Sequence, residues 1–413
     1  MTAVKHVGKT YLADGFKLSP SIGAALAVLG AGGIPLFYGP QGCAVTGSAL
    51  LARHFRCAMP LRSVAMNEVS VIQGDHKALI SAVATIARTH PKAPIAIITS
   101  SVAETRGDDP ALLAQLVLAV CDNPIVVIGL SEFSGTLEEG WSRAARFLIE
   151  VAPFPPLSAA SLNPSVAILP GCHLSAGDID EIRDITGSFG LTAVVFPDIT
   201  NAMTQERGDS AGWSMAPLSG CMQAIAIGQG QRGVAEALQN RFGVPYCVLD
   251  SLSGLAASNA FLKRLEVLSG CPVPAQWRRQ RAILTGLLAA ARPKLSGKRI
   301  AIAADADLLV SQITWLKEAG ATIYAAVLSA VPARTAMMVG VPYSIGDLAD
   351  LADRAVGADM IAGPSPIRDY AAQLGLPVLD CGIPILNRLD SPYRIGVGYR
   401  GMTTRLLEVL SIV

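Results

Sequence analysis

Ile34-Pro35-Leu36-Phe37-Tyr38-Gly39-Pro40-Gln41-Gly42-Cys43 decides how the rest of the chain reads. Ile34–Tyr38 is an unbroken apolar run, the pattern of a strand buried on both faces of a parallel sheet. It empties into a tight turn with two glycines and a proline, whose backbone can approach another body closely, and the turn ends in a thiol. A helix is expected from about Thr46. Cys43 is thereby placed for ligation or chemistry. The alternative is a small side chain packed beside the turn, as free cysteines commonly are.

Outward from this stretch the same strand, turn and helix alternation repeats. Ser21 is a candidate N-cap for a short apolar helix over 22–29 that Gly30 stops. Downstream, a helix is expected over about 76–89 and strands over 94–99 and 124–130. A second series of strands follows near 165–169, 192–197, 223–227 and 245–249, and a third near 299–304, 322–328, 358–362 and 376–380. Proline-rich segments at 151–164 and 293–297 separate the series, and a helix over 278–291 precedes the second of them. The expected fold class is α/β: three Rossmann-like domains with parallel sheets and right-handed crossovers, spanning 1–155, 156–294 and 295–413.

Only 16% of residues are charged and the net charge is +1, which gives no electrostatic case for nucleic acid or an anionic membrane and favours an obligate oligomer. Residues 19–52 carry no charge at all. Pro20, Pro35, Pro40 and the run Gly30-Ala31-Gly32-Gly33 leave no room there for a membrane helix of about 20 residues, so the stretch reads as protein interior. Residues 1–9 are not followed by an apolar segment with a cleavage site, so a cytoplasmic protein is expected. The eight cysteines form no CxxC pair, and in a reducing compartment they are expected to stay free.

Other motifs read as architecture first. Ser100 to Asp109 lies at the carboxyl end of a strand, where open α/β sheets bind ligands, so Ser101 and the acidic cluster after it are candidates. Asp108 or Asp109 is also suited to cap a helix starting at Pro110. Asp305 and Asp307 read as a helix cap in the same way. Gly228-Gln229-Gly230-Gln231-Arg232-Gly233 matches the spacing of a dinucleotide fingerprint, with Asp250 the one acidic residue near the required place. His173 reads as a satisfied loop residue. The chain has no P-loop, HExxH or GxSxG motif, so no self-sufficient kinase or hydrolase is expected.

Three stretches together resemble the β-type subunits of nitrogenase component 1. The first pairs Ser19-Pro20-Ser21-Ile22-Gly23 with Gly39-Pro40-Gln41-Gly42-Cys43, and the second pairs Arg53-His54-Phe55-Arg56 with Met66-Asn67-Glu68-Val69. The third is Ser101-Val102-Ala103-Glu104-Thr105-Arg106-Gly107-Asp108-Asp109, and the resemblance continues to Gly398-Tyr399-Arg400-Gly401. Within the family it is strongest to the subunits of the scaffold on which the iron-molybdenum cofactor is assembled.

The resemblance implies an α2β2 heterotetramer with an α-type partner, an iron–sulfur cluster at each α–β interface, and electrons delivered by an ATP-dependent iron protein. Where the family's catalytic β-subunit presents three cysteines, this chain has Ser19, Cys43 and Ser101. One thiolate beside Gly42 implies a [4Fe-4S] cluster completed by the partner, with an [8Fe-7S] P-cluster-like centre as the alternative. The chain departs from the scaffold pattern at Cys57-Ala58, Arg62-Ser63-Val64 and Pro40. Those departures keep open a nitrogenase-like reductase of the methylthio-alkane reductase kind. Cys57 is a candidate second ligand or a packed thiol; an intervening helix of ten residues would set it about 15 Å from Cys43.

Overall fold

The computed structural model describes residues 17–64, 66–74, 76–130, 135–151, 164–203, 213, 215–331 and 340–413. Most of the first proline-rich segment, with the expected boundary at 155, and the leader before Lys17 lie outside these residues.

Three parallel sheets form the molecule. The first has strands β1 (Ile34–Tyr38), β2 (Arg62–Ser63), β3 (Ile95–Thr99) and β4 (Ile125–Ile128) in the order β2-β1-β3-β4. Its helices are α1 (Pro20–Gly30), α2 (Gln41–Phe55), α3 (Glu68–Gln73), α4 (Lys77–Thr89), α5 (Ser101–Arg106), α6 (Pro110–Leu118) and α7 (Leu137–Val151). The second sheet, ordered β6-β5-β7-β8, contains β5 (Ser165–Leu169), β6 (Thr192–Val195), β7 (Gln223–Ile227) and β8 (Tyr246–Leu249). With it come α8 (Ala176–Gly187), α9 (Ile199–Met203), α10 (Ala216–Ser219), α11 (Arg232–Phe242), α12 (Leu255–Ser269) and α13 (Ala275–Leu295). The third, ordered β11-β10-β9-β12-β13, contains β9 (Arg299–Ala303), β10 (Thr322–Leu328), β11 (Ser344–Ile345), β12 (Met360–Gly363) and β13 (Val378–Asp380). Helices α14 (Ala306–Glu318), α15 (Leu348–Arg354), α16 (Ile367–Leu374) and α17 (Gly398–Ile412) complete it.

The apolar runs became strands because each has a covered face on both sides: β3, β5 and β7 are buried at every residue. One continuous apolar interior joins all three sheets, and each fully buried Leu or Ile in it contributes about 1.5–3 kcal/mol. Helix α1 is buried along its whole length, which explains why part of the charge-free stretch is interior. Trp141 on α7 donates its indole N–H to the Pro170 carbonyl (2.9 Å), pinning the first unit to the second. Among the described residues no helix is long and apolar enough to cross a membrane.

Three boundaries differ from expectation. Ser19, not Ser21, caps α1, because Pro20 takes the first helical position, where its missing N–H costs nothing; the Ser19 hydroxyl accepts from the Ser21 N–H at 3.1 Å. Helix α2 begins at Gln41 rather than Thr46, so Cys43 stands in its first turn. Helix α13 starts at Ala275 and runs through Pro293 to Leu295, so no linker occupies 293–295. Buried Leu284, Leu288, Ala291 and Leu295 anchor that last turn against the core and outweigh the hydrogen bond that proline removes.

Candidate functional site

β1 and β3 are paired in register from Ile34 with Ile95 to Tyr38 with Thr99, so the two chains leave the sheet side by side. A side chain on Gly39 would run into Ser100, and glycine lets the two exits touch. The β1 exit leads to Cys43 and the β3 exit to Ser101, the first residue of α5. Ser19 caps α1, whose Ile22 side chain packs against Gly47 of α2. Ser19, Cys43 and Ser101 thus each stand at a helix N-terminus, two of them on adjacent turns.

Cys43 is exposed, and the packed-thiol alternative fails for it. Around it Gln41, Gly42, Val45, Thr46 and Ala49 are exposed and uncharged, with Val45 65% accessible. Space beyond Gly42 is open: no atom lies within 4 Å of where its side chain would begin. The N-cap of α2 is Pro40, which offers no side-chain acceptor, and the first turn holds no acidic residue. A bridge between Pro40 and Met66 sets α3 alongside, with Val69 60% and Ile72 85% exposed. The outer part of the charge-free stretch is therefore an uncharged surface, continued by Val69 and Ile72 of α3.

The acidic cluster after Ser101 is architectural. Asp109 caps α6 by accepting from the Ala111 N–H at 2.9 Å, while Asp108 pairs with Arg106 at 2.6 Å. Arg106 also reaches Tyr38, whose hydroxyl lies 2.8 Å from His76 Nδ1. Burial, helped by the charge of Asp108, pushes the Tyr38 phenol up to about 12. Neither Tyr38 nor His76 stood out in the sequence; the signal was one phenol inside an apolar strand.

The Arg53-His54-Phe55-Arg56 motif docks a distant segment. His54 Nδ1 accepts from the Ile385 N–H at 3.0 Å, and its carbonyl accepts from the Ser391 hydroxyl at 2.5 Å. Arg56, in left-handed backbone, donates to the Leu386 carbonyl at 3.0 Å and to that of Arg388 at 2.9 Å. Burial pushes the His54 imidazole down to about 4. Cys57 follows this cap, half-buried against the core at the end of α2 away from Cys43.

The dinucleotide-like glycine turn is closed from within. Asp307 accepts from the backbone N–H groups of Gln229 (2.9 Å) and Gly230 (3.0 Å), the donors that would cradle a phosphate. A side chain on Gly228 would collide with that carboxylate. Asp305 occupies the N-cap position of α14 and Asp307 its first turn, as expected, but Asp305 makes no side-chain capping bond and accepts from the Ser329 hydroxyl at 2.6 Å instead. Glu138 of α7 accepts from the Asp307 backbone N–H at 3.2 Å, and burial and the Asp307 charge hold its carboxyl well above the usual range. These carboxyls line a 210 Å³ cavity with Glu139 and Arg143. The expectation that His173 is satisfied fails, since its Nδ1 has no hydrogen-bond partner among the described residues; packing of the ring against Gly171 keeps donors away.

Cys43 is exposed, and among the described residues no three His, Cys, Asp or Glu side chains converge to hold a metal ion. A family model for nitrogenase component 1 type oxidoreductases matches residues 19–413. The chain belongs to that family.

Its relatives in the nitrogenase component 1 family include the nitrogenase iron-molybdenum cofactor biosynthesis protein NifN of Mesorhizobium japonicum, 35% identical over 98% of this chain and 91% of that protein. The NifN of Rhizobium meliloti is 36% identical over 96% and 93%, and that of Nostoc sp. 33% over 97% and 93%. The solved structure "Nitrogenase Cp1 at pH 6.5" superposes with a TM-score of 0.87 at 22% identity, covering 99% of this chain and 94% of that one. As a member of the family the chain has the expected α/β architecture, with parallel sheets, and the exits of β1 and β3 lead to Cys43 and Ser101.

Proposed function

We propose that the chain is the β-type subunit of a cytoplasmic nitrogenase-like scaffold for cofactor assembly, with Cys43 its thiolate to an iron–sulfur cluster shared with an α-type partner in an α2β2 complex. The observation that carries this is the exposure of Cys43 on the open first turn of α2, inside an uncharged surface. The residues fit such a group. Thiolates are the expected ligands of iron–sulfur clusters, and the uncapped helix N-terminus favours an anionic body. Open space beyond Gly42 gives that body room, and Ser19 and Ser101, at the N-termini of α1 and α5, carry hydroxyls where further thiolates would make a larger centre. One thiolate here and three from the partner correspond to [4Fe-4S].

When bound, such a cluster supplies one-electron relay. The chain's own part is to present Cys43 and to surround it with the uncharged residues of α2, and the electrons come from an ATP-dependent iron protein. Relatives named for iron-molybdenum cofactor biosynthesis support the scaffold, and the reductase alternative is not carried forward.

The test is reconstitution with the α-type partner, iron protein, ATP and reductant. A scaffold matures its bound precursor when given molybdenum and homocitrate. Rapid turnover of a small reducible substrate by the purified complex, without maturation, would reject the proposal.

A further inference from the structure

A guanidinium lies at the end of β1, the strand that leads into the Cys43 turn. Arg106 closes α5, the helix that Ser101 opens, and its side chain is only 11% exposed. Its Nε donates to both carboxylate oxygens of Asp108 at 2.9 Å. Nη1 donates to the Ser70 carbonyl of α3 at 3.1 Å, and Nη2 donates to the Tyr38 hydroxyl. The guanidinium also lies over the Tyr38 ring, 5.6 Å from its centroid. Tyr38 ends β1, one residue before Gly39, and its hydroxyl meets His76 at the N-cap of α4.

One planar fork therefore ties four elements: the strand that delivers Cys43, the helix that begins at Ser101, the exposed helix α3, and the start of α4. Lysine carries its three donors on one nitrogen of a flexible stem and lacks the span and fixed plane with which the guanidinium meets these acceptors. An arginine buried this deeply is tolerated because its donors find acceptors, and removing it would leave those acceptors unpaired.

We infer that Arg106 is a positioning residue for the iron–sulfur site: it fixes the Cys43 turn against the Ser101 turn and transmits displacements of α3 to Cys43. The inference rests on the assignment of Cys43 as a ligand. It adds a mechanical link between the surface of α3 and the thiolate.

The experiment uses the complex with its α-type partner, prepared as Arg106→Gln, Arg106→Lys, Tyr38→Phe and Cys43→Ala. Readouts are iron content, the electron paramagnetic resonance line shape, the midpoint potential of the cluster, and amide hydrogen exchange at 39–44 in the metal-free complex. Arg106→Gln is expected to keep its iron, to change line shape and potential, and to exchange roughly tenfold faster at 39–44. Arg106→Lys should fall between it and the parent. Tyr38→Phe removes the hydroxyl's bonds to Arg106 and to His76 while keeping the ring against the guanidinium, and should move the same readouts in the same direction, which keeps the test open should Arg106→Gln not fold. Unchanged line shape, potential and exchange in folded Arg106→Gln or Tyr38→Phe, with only thermal stability lowered, would overturn the inference. Loss of the cluster in Cys43→Ala supports the ligand assignment. Its survival overturns that assignment and the inference resting on it, even where exchange at 39–44 responds to Arg106.

Discussion

Cys43 is the third residue of α2 and Cys57 lies beyond its end, so the rise from Cys43 to Phe55 alone is about 18 Å. One cluster cannot reach both. Cys43→Ala should therefore strip or convert the cluster, whereas Cys57→Ala should leave the iron content and paramagnetic signal at those of a four-iron centre. Iron lost from Cys57→Ala, or about eight irons per interface, would contradict this. His54 gives a second test at this scale. Its folded pKa lies below the ordinary 6.5, so the unfolded chain takes up the proton first as the pH falls. The associated stability is present above about pH 6.5 and declines toward pH 4, by about 3 kcal/mol in all. His54→Gln should flatten that decline in a denaturation series across this range; an unchanged slope would assign it to another group. The Cys43 turn was legible because glycine, proline and a thiol at a strand end have few other uses. The Arg106 and His54 contacts were not, since their partners lie up to 337 positions away and no local pattern marks them.

At the scale of elements, the glycine turn after β7 and the start of α14 are held together by carboxyls rather than by a ligand. Glu138 and Asp307 are both buried there, and the bond between them runs from the Asp307 backbone N–H to Glu138 Oε2 at 3.2 Å. Because the folded pKa of Glu138 is raised, stability falls as the pH climbs from the ordinary glutamate range toward the folded value. Glu138→Gln keeps a donor and should remove that fall, so its thermal midpoint should exceed the parent's under alkaline conditions. Asp307→Ala should cost about 1–3 kcal/mol by stranding two backbone donors. Phosphate should then restore more of the midpoint in this variant than it adds to the parent; no such difference would mean that the turn is not an anion cradle. Strands were the elements best read from sequence, because double burial demands continuous apolar runs. Helix ends were read less well. Pro20 opens α1 and Pro293 sits inside α13, and whether a proline starts, ends or rides in a helix depends on packing that no single segment encodes.

For the whole molecule, the exposed uncharged face around Cys43 predicts that the chain expressed alone is colourless and aggregates. Co-expression with an α-type partner should give a brown, monodisperse complex. A stable brown monomer in size-exclusion chromatography would contradict it. The contacts of His54 and Arg56 with residues 385–391 have a consequence for the order in which the molecule is made. Ile385 leaves the ribosome 331 residues after His54, a delay of roughly 15–65 s at ordinary rates of synthesis. Until then the helix that carries Cys43 has its far end unanchored. A nascent or truncated chain thus displays the thiol on an unfinished support, and a partner that needs the finished one is met only by chains translated past the last strand.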